Sequence, residues 1–319
     1  MPSKQILTVF GATGIQGGSV ARAMLTDPTT AQQFHVRAVT RDPSKPGAQA
    51  LAELGAELIK ADMEDKDSLR VALQNAYGVF LVTNFMERLD HIAETRQGKN
   101  AADICKETGV KHLVWSSLPH VSKISNGKYT AALHFDSKAR VDEHIRALSI
   151  PHTILHVGTY IKFLIESLEP LSTDNGSPYR LSFPKPANIE TELPLIDAAA
   201  DVGKFVKAIF LNPEASLGRL FSAYSRYYTI GGIIEIIKKN GVDAVYEATD
   251  SEVFKAGMGA KGVPEFFQDD LVQVIEFGVE YGFFGGVGNG DAHKLVKEPL
   301  TSLEETLKSS AHFAGLVKG

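Results

Sequence analysis

The chain has 319 residues, 44% of them hydrophobic and 22% charged, with a formal net charge of −5. That supplies apolar material for one large domain, or a large domain with a smaller one, while the acidity and the lack of a Lys/Arg-rich run argue against direct nucleic-acid binding. No apolar run reaches membrane-spanning length and residues 1–5 do not begin a signal peptide, so the expected location is the cytoplasm, with the nucleus as a second one.

The first apolar run, 6–10, leads straight into Gly11-Ala12-Thr13-Gly14-Ile15-Gln16-Gly17-Gly18, and an apolar helical pattern follows from Ser19 to Leu25. A strand, a glycine turn and a helix in this order make a cradle for the pyrophosphate of a dinucleotide. Gly11 permits the tight turn, Gly14 lets the backbone approach the phosphates, and Gly17 lets the helix pack closely on the strand. The free N–H groups of the helix start then face the anion.

Further strand-like runs fall at 36–40, 57–60, 78–82, 112–116 and 152–156, with helical spacing between them. The second helix covers 47–54 and stops at Gly55. The third follows the capping region 65–68, the fourth runs over 90–108 to Gly109, and the fifth covers 131–148. This alternation predicts an α/β fold, a Rossmann-like doubly wound parallel sheet in the order 3-2-1-4-5-6, with ligand over the carboxyl ends of the strands.

After residue 156 regular alternation is lost. Residues 171–178 and 184–188 are turn-rich, 197–211 reads as a helix returning to the sheet, and 227–239 and 250–256 read as helices of a smaller segment. The stretch 281–290 reads as a mobile loop with aromatic contacts. The domain expectation is therefore a nucleotide-binding domain over 1–156, joined by 195–212, and a smaller C-terminal α/β lobe made of 157–194 and 213–319.

Arg41 ends the second strand, where an acid would favour NAD and a cation accommodates the extra phosphate of NADP. Arg37 and Lys45 are close in sequence, and Asp42 could repel the phosphate or pair with Arg41. The expected cofactor is NADP(H). The ten histidines are scattered without metal-ligand spacing, so no metal site is expected, and the single Cys105 reads as a buried structural thiol.

The sequence resembles the NmrA-like family, atypical members of the short-chain dehydrogenase/reductase superfamily, and is most similar to the fungal regulators and the animal NADPH-sensor type. The resemblance is carried by residues 11–20, 36–41 and 78–84, by Lys99, by Ala131-Ala132-Leu133-His134-Phe135-Asp136-Ser137-Lys138, and by Tyr160. It covers roughly the first two hundred residues well. It implies cofactor contacts from Gly11, Thr13, Gly14, Ile15, Gln16 and Gly17. It also implies Asp62 and Met63 beside the adenine, Thr83 and Asn84 beside the ribose and nicotinamide, and Tyr160 near the carboxamide.

Ordinary members of that superfamily use a Tyr proton donor four residues before a Lys. Here His134 stands four residues before Lys138, and no Y-x-x-x-K occurs anywhere. The candidate catalytic set is His134 as proton donor, Lys138 as ribose ligand, and Ser116 or Ser117 as substrate-orienting hydroxyl. Two functions follow as expectations. One is an NADP(H)-binding redox sensor or regulator acting through a protein partner. The other is an NADPH-dependent reductase of a small carbonyl, quinone or imine, with Phe85, Tyr160, Phe163, Phe283 and Phe284 as pocket walls.

Overall fold

The computed structural model describes residues 3–172, 177–287 and 292–318. Its first half is the expected alternation: β1 (Gln5–Val9), α1 (Ile15–Thr26), α2 (Pro28–Gln33), β2 (Phe34–Thr40), α3 (Pro46–Glu53), β3 (Glu57–Lys60), α4 (Lys66–Leu73) and β4 (Ala76–Leu81). It continues through α5 (His91–Glu107), β5 (His112–Ser117), α6 (Val121–Ile124), α7 (Leu133–Ala147) and β6 (His152–Val157).

Local chemistry sets these boundaries. The carboxylates of Asp65 and Asp90 accept the first N–H groups of α4 and α5, satisfying donors that the helix itself leaves unpaired. Gly55 and Gly109 adopt left-handed φ of 100° and 71° just after α3 and α5, where a side chain would be strained.

The chain continues through β7 (Thr159–Tyr160), α8 (Ile161–Glu166), β8 (Glu169–Pro170), β9 (Tyr179–Pro184), β10 (Glu192–Ile196), α9 (Ala198–Leu211), α10 (Pro213–Ser216), β11 (Leu220–Ala223) and β12 (Arg226–Thr229). The remaining elements are α11 (Ile230–Lys239), β13 (Ala244–Thr249), α12 (Ser251–Ala260), α13 (Glu265–Tyr281), α14 (Ala292–Leu295), α15 (Leu303–Ser309) and α16 (Ala311–Lys318).

The central sheet is parallel and has the order β11-β6-β5-β4-β1-β2-β3. The expected six strands keep their order, and β11 adds a seventh beside β6. Residues 220–223, assigned from sequence to the smaller lobe, therefore belong to the main sheet. Strand order reverses between β1 and β4, and that is where a crevice opens at the carboxyl edge of a doubly wound sheet.

Each sheet face is buried under its own layer. On one side Leu7, Val9, Val36 and Leu155 pack with Val20 and Met24 of α1 and Phe205 and Ile209 of α9. Here α9 crosses α1 so closely that a Cβ on Gly203 would lie 2.3 Å from the carbonyl oxygen of Ser19. On the other side Val79, Leu81, Leu113 and Trp115 pack against α4, α5 and α7. Cys105 lies in this layer, where burial pushes its thiol pKa up.

The smaller sheets have the orders β12-β10-β7 and β13-β9-β8, and Ile161, Leu181, Ile233, Ile237 and Leu307 gather into a separate core. Two sequence expectations change here. Residues 226–229 form a strand rather than the start of a helix, because Thr229 is the N-cap of α11 and its hydroxyl accepts the N–H of Gly232. The stretch read as a mobile loop is anchored over its described part: Phe284 is buried, with its ring 6.5 Å from that of His156, and Phe283 packs on Phe135 at 5.6 Å. Residues 288–290 of that stretch, like 173–176 of the turn-rich segment, lie outside the described residues.

Candidate functional site

The glycine turn lies at the switch point of the sheet. Gly11 has φ +60°, and a Cβ there would lie 2.9 Å from Val82. The N–H of Gly14 donates to the carbonyl of Gly11 at 2.8 Å and closes the turn. A Cβ on Gly17 would lie 2.3–2.4 Å from the backbone of Gly11 and Phe10, so α1 can sit this close only with glycine. Gly14 is the N-cap of α1, and no side chain caps the helix. Among the described residues, the first N–H groups of α1 are thus left at the carboxyl edge without a side-chain acceptor, which is the donor set a phosphate needs. Thr13 is exposed beside the turn and Ile15 is half-buried against the core.

Gln16 is held by the protein. Its carbonyl oxygen accepts the Ser116 hydroxyl at 2.6 Å, and its amide donates to the Tyr160 hydroxyl. This chain of bonds ties the first turn of α1 to the ends of β5 and β7. Burial pushes the Tyr160 hydroxyl up to about 12, and the ring stacks on half-exposed Phe163 at 5.2 Å.

At the edge of β2, Arg41 is exposed and pairs with Glu87, its Nη2 lying 3.0 Å from Oε2 and its Nη1 also bound to the carboxylate. The hydrogen bond to Glu87 raises the guanidinium pKa above its ordinary value. Asp42 is turned away to its own loop, where it accepts Ser44 N–H at 3.0 Å and Ser44 Oγ at 2.6 Å. Arg37, by contrast, is buried and binds Glu57 and the carbonyls of Ala72 and Gln74, so it braces the strands. Asp62 and Met63 follow β3. Asp62 accepts the N–H of Glu64, and the Met63 carbonyl accepts Asn100.

The candidate catalytic residues occupy two separate networks. Lys138 Nζ donates to Glu94 Oε1 at 2.6 Å, Thr83 Oγ1 at 3.0 Å and Thr83 O at 3.3 Å. Ser137 and Thr83 also donate to Glu94. Burial would raise the Glu94 carboxyl pKa, but the Lys138 charge and these hydrogen bonds hold it below its ordinary value. Thr83 is thus turned toward Lys138, while the neighbouring Asn84 is exposed.

His134 binds Asp270 of α13: its backbone N–H donates to Oδ2 at 2.8 Å and its Nδ1 meets Oδ1. Asp270 is fully buried, and the His134 ring packs with Phe85 at 5.7 Å and Phe267 at 5.9 Å. With Nδ1 on a carboxylate, the imidazole is oriented and Nε2 is the nitrogen left for other chemistry. Ser117 is buried and donates to Asp142 at 2.6 Å under α7, so Ser116 is the strand-end serine that joins the Gln16 side of the sheet. Asp270, Glu94 and Glu87 carried no sequence signal, because each meets its partner only through the tertiary fold. Among the described residues no cluster of His, Cys, Asp and Glu could hold a metal, and no helix is long and apolar enough to cross a membrane.

The strand order, the switch point and the glycine turn define a Rossmann-like α/β protein. Residues 3–307 match the NmrA-like family, and the chain belongs to it. An NmrA-like family domain-containing protein of Dictyostelium discoideum is 31% identical over 96% of this chain and 97% of its own length. The NmrA-like family domain-containing oxidoreductase malD of Malbranchea aurantiaca is 35% identical over 66% of each chain. NmrA, a negative transcriptional regulator crystallised with NADP, has the same fold, with a TM-score of 0.76 over 95% of this chain and 94% of its own at 21% identity.

Proposed function

We propose that this chain binds NADP(H) and acts as a redox sensor or regulatory protein through a protein partner. The uncapped start of α1 at Gly14 would hold the pyrophosphate, with Gly11 and Gly17 fixing the turn. Arg41 would take the 2′-phosphate by a bidentate contact, with Asp62 and Met63 after β3, Asn84 after β4 and Tyr160 at the end of β7 as further contacts. Bound NADPH supplies a hydride. The observation that carries the sensor reading is the commitment of Lys138 to Glu94 and Thr83: the buried Glu94 carboxylate offsets the charge that would lower a donor's pKa. Without a Tyr at position 134, that leaves the ordinary proton-delivery pair of the superfamily incomplete.

A second reading is an NADPH-dependent reductase of a small carbonyl, quinone or imine. It is favoured by the His134–Asp270 pair, which orients an imidazole beside Phe85, and by the name oxidoreductase that malD carries. In it the substrate takes a hydride at carbon and a proton from His134 at oxygen or nitrogen.

Calorimetric titration of NADP, NADPH, NAD and NADH into the parent and Arg41→Ala tests the cofactor assignment. The parent should prefer the NADP species, and the variant should lose about ten- to a hundredfold of that affinity. Equal affinity of parent and variant for NADP would move the 2′-phosphate elsewhere.

A further inference from the structure

The exposed Arg41–Glu87 pair lies at the edge where the proposed cofactor differs from NAD, and its acid comes from a different strand end. Glu87 is the last residue of a short 3-10 turn, Phe85–Glu87, that follows β4 with Asn84 as its N-cap. Two oxygens of Glu87 face two nitrogens of Arg41, so the Nη1–Nη2 edge of the guanidinium is already held by a bidentate carboxylate. Asp42, the acid adjacent in sequence, is occupied by Ser44 and does not share this position. Asp62 adds a weaker attraction to the guanidinium from the β3 side.

We infer that Glu87 is a specificity-determining residue that competes in cis with the 2′-phosphate for Arg41. A phosphate that takes the Nη1–Nη2 edge of Arg41 must displace the carboxylate that fills it, whereas NAD, which lacks the phosphate, leaves the pair intact. The competition lowers the preference for NADP below what Arg41 alone would confer. It also links the edge to the rest of the molecule. The turn that ends in Glu87 begins with Phe85, which is buried against His134 and against Phe267 of α13 at 5.7 and 5.5 Å. The turn that carries Glu87 is thus continuous with the contact between the sheet edge and the C-terminal helices.

The inference rests on the assignment of the 2′-phosphate to Arg41, and the experiment separates the two. NADP and NAD are titrated calorimetrically into the parent, Glu87→Gln, Arg41→Ala and the double variant, with circular dichroism confirming the fold of each. Glu87→Gln removes the competing charge from an exposed pair, and NADP should bind about two- to fivefold more tightly while NAD is unchanged. In the Arg41→Ala background the same change should have no effect. Unchanged or weaker NADP binding by Glu87→Gln, in a protein whose Arg41→Ala variant loses its NADP preference, would overturn the competition alone. An Arg41→Ala protein that keeps its full preference would overturn the phosphate assignment and the inference with it.

Discussion

The ammonium of Lys138 lies 2.6 Å from Oε1 of Glu94, and only 11% and 2% of the two side chains are exposed. Removing one member of such a pair leaves the other charge buried without a counterion. Lys138→Ala should therefore destabilise the fold by about 3–5 kcal/mol, whereas the double variant Glu94→Gln, Lys138→Met should recover most of that loss. Chemical denaturation of the three proteins checks this. A Lys138→Ala protein of parental stability would show that the pair does not hold the structure.

The glycines of the turn should separate by role. Gly17→Ala places a Cβ within 2.4 Å of backbone atoms of Gly11 and Phe10, so it should destabilise the protein by about 3 kcal/mol, the upper range for overpacking. A Cβ on Gly14 meets the Gly11 carbonyl at 3.2 Å, and the extended backbone there is one that a side chain can adopt, as in Gly14→Val. It should stay folded by circular dichroism yet lose dinucleotide affinity, because the side chain occupies the path of the pyrophosphate. Undiminished binding by a folded Gly14→Val protein would place the ligand elsewhere.

Acid should weaken the fold in two stages. His112 is fully buried, and burial, with the nearby His152, pushes its pKa from 6.5 down to about 4. The folded state therefore resists protonating it, and stability present above pH 6.5 is lost as pH falls toward 4, by about 3 kcal/mol in all. Glu94 has a pKa held below its ordinary 4.5, so its contribution is lost at still lower pH. Unfolding free energies measured from pH 7.5 to 4.5 should fall for the parent and fall less steeply for His112→Gln. Identical slopes would remove His112 from the account.

The sheet was legible because its signals are local. Apolar runs of strand length alternate with helices whose caps, Asp65 and Asp90, and whose stops, Gly55 and Gly109, are neighbours in sequence. Strand β11 was not legible: it is four residues long and pairs with β6 across more than sixty residues. Helix α13 has Pro264 at its N-cap and no side-chain cap, so its start lacked the Ser/Thr/Asp/Asn signal that marks α4 and α5. The glycine turn could be read with the position of each residue, but the partners of Arg41, Lys138 and His134 could not. Glu87, Glu94 and Asp270 lie 46, 44 and 136 residues from them and meet them only in the folded chain.

Tyr160, Gln16 and Ser116 form a hydrogen-bonded chain at the carboxyl edge. Tyr160→Phe removes the acceptor of the Gln16 amide and leaves Ser116, among the described residues, holding Gln16. Loss of such a bond costs about 1 kcal/mol when the remaining group can reach water. Thermal unfolding should show a drop of that order with the fold retained. A larger loss, comparable with that of Lys138→Ala, would contradict the assignment of a single ordinary hydrogen bond to Tyr160.

The central claim is that bound NADPH is retained and read rather than consumed. The most direct measurement follows NADPH absorbance at saturating cofactor with a panel of quinones, ketones and imines, using the parent, His134→Ala and Lys138→Ala, each first titrated for cofactor affinity. The account predicts tight NADPH binding by the parent, with turnover far below about one per second, the low end of ordinary enzymic rates, and no activity for His134→Ala to lose. Parental turnover at or above that rate, collapsing in His134→Ala while NADPH affinity is unchanged, would contradict it and make His134 the proton donor of a reductase.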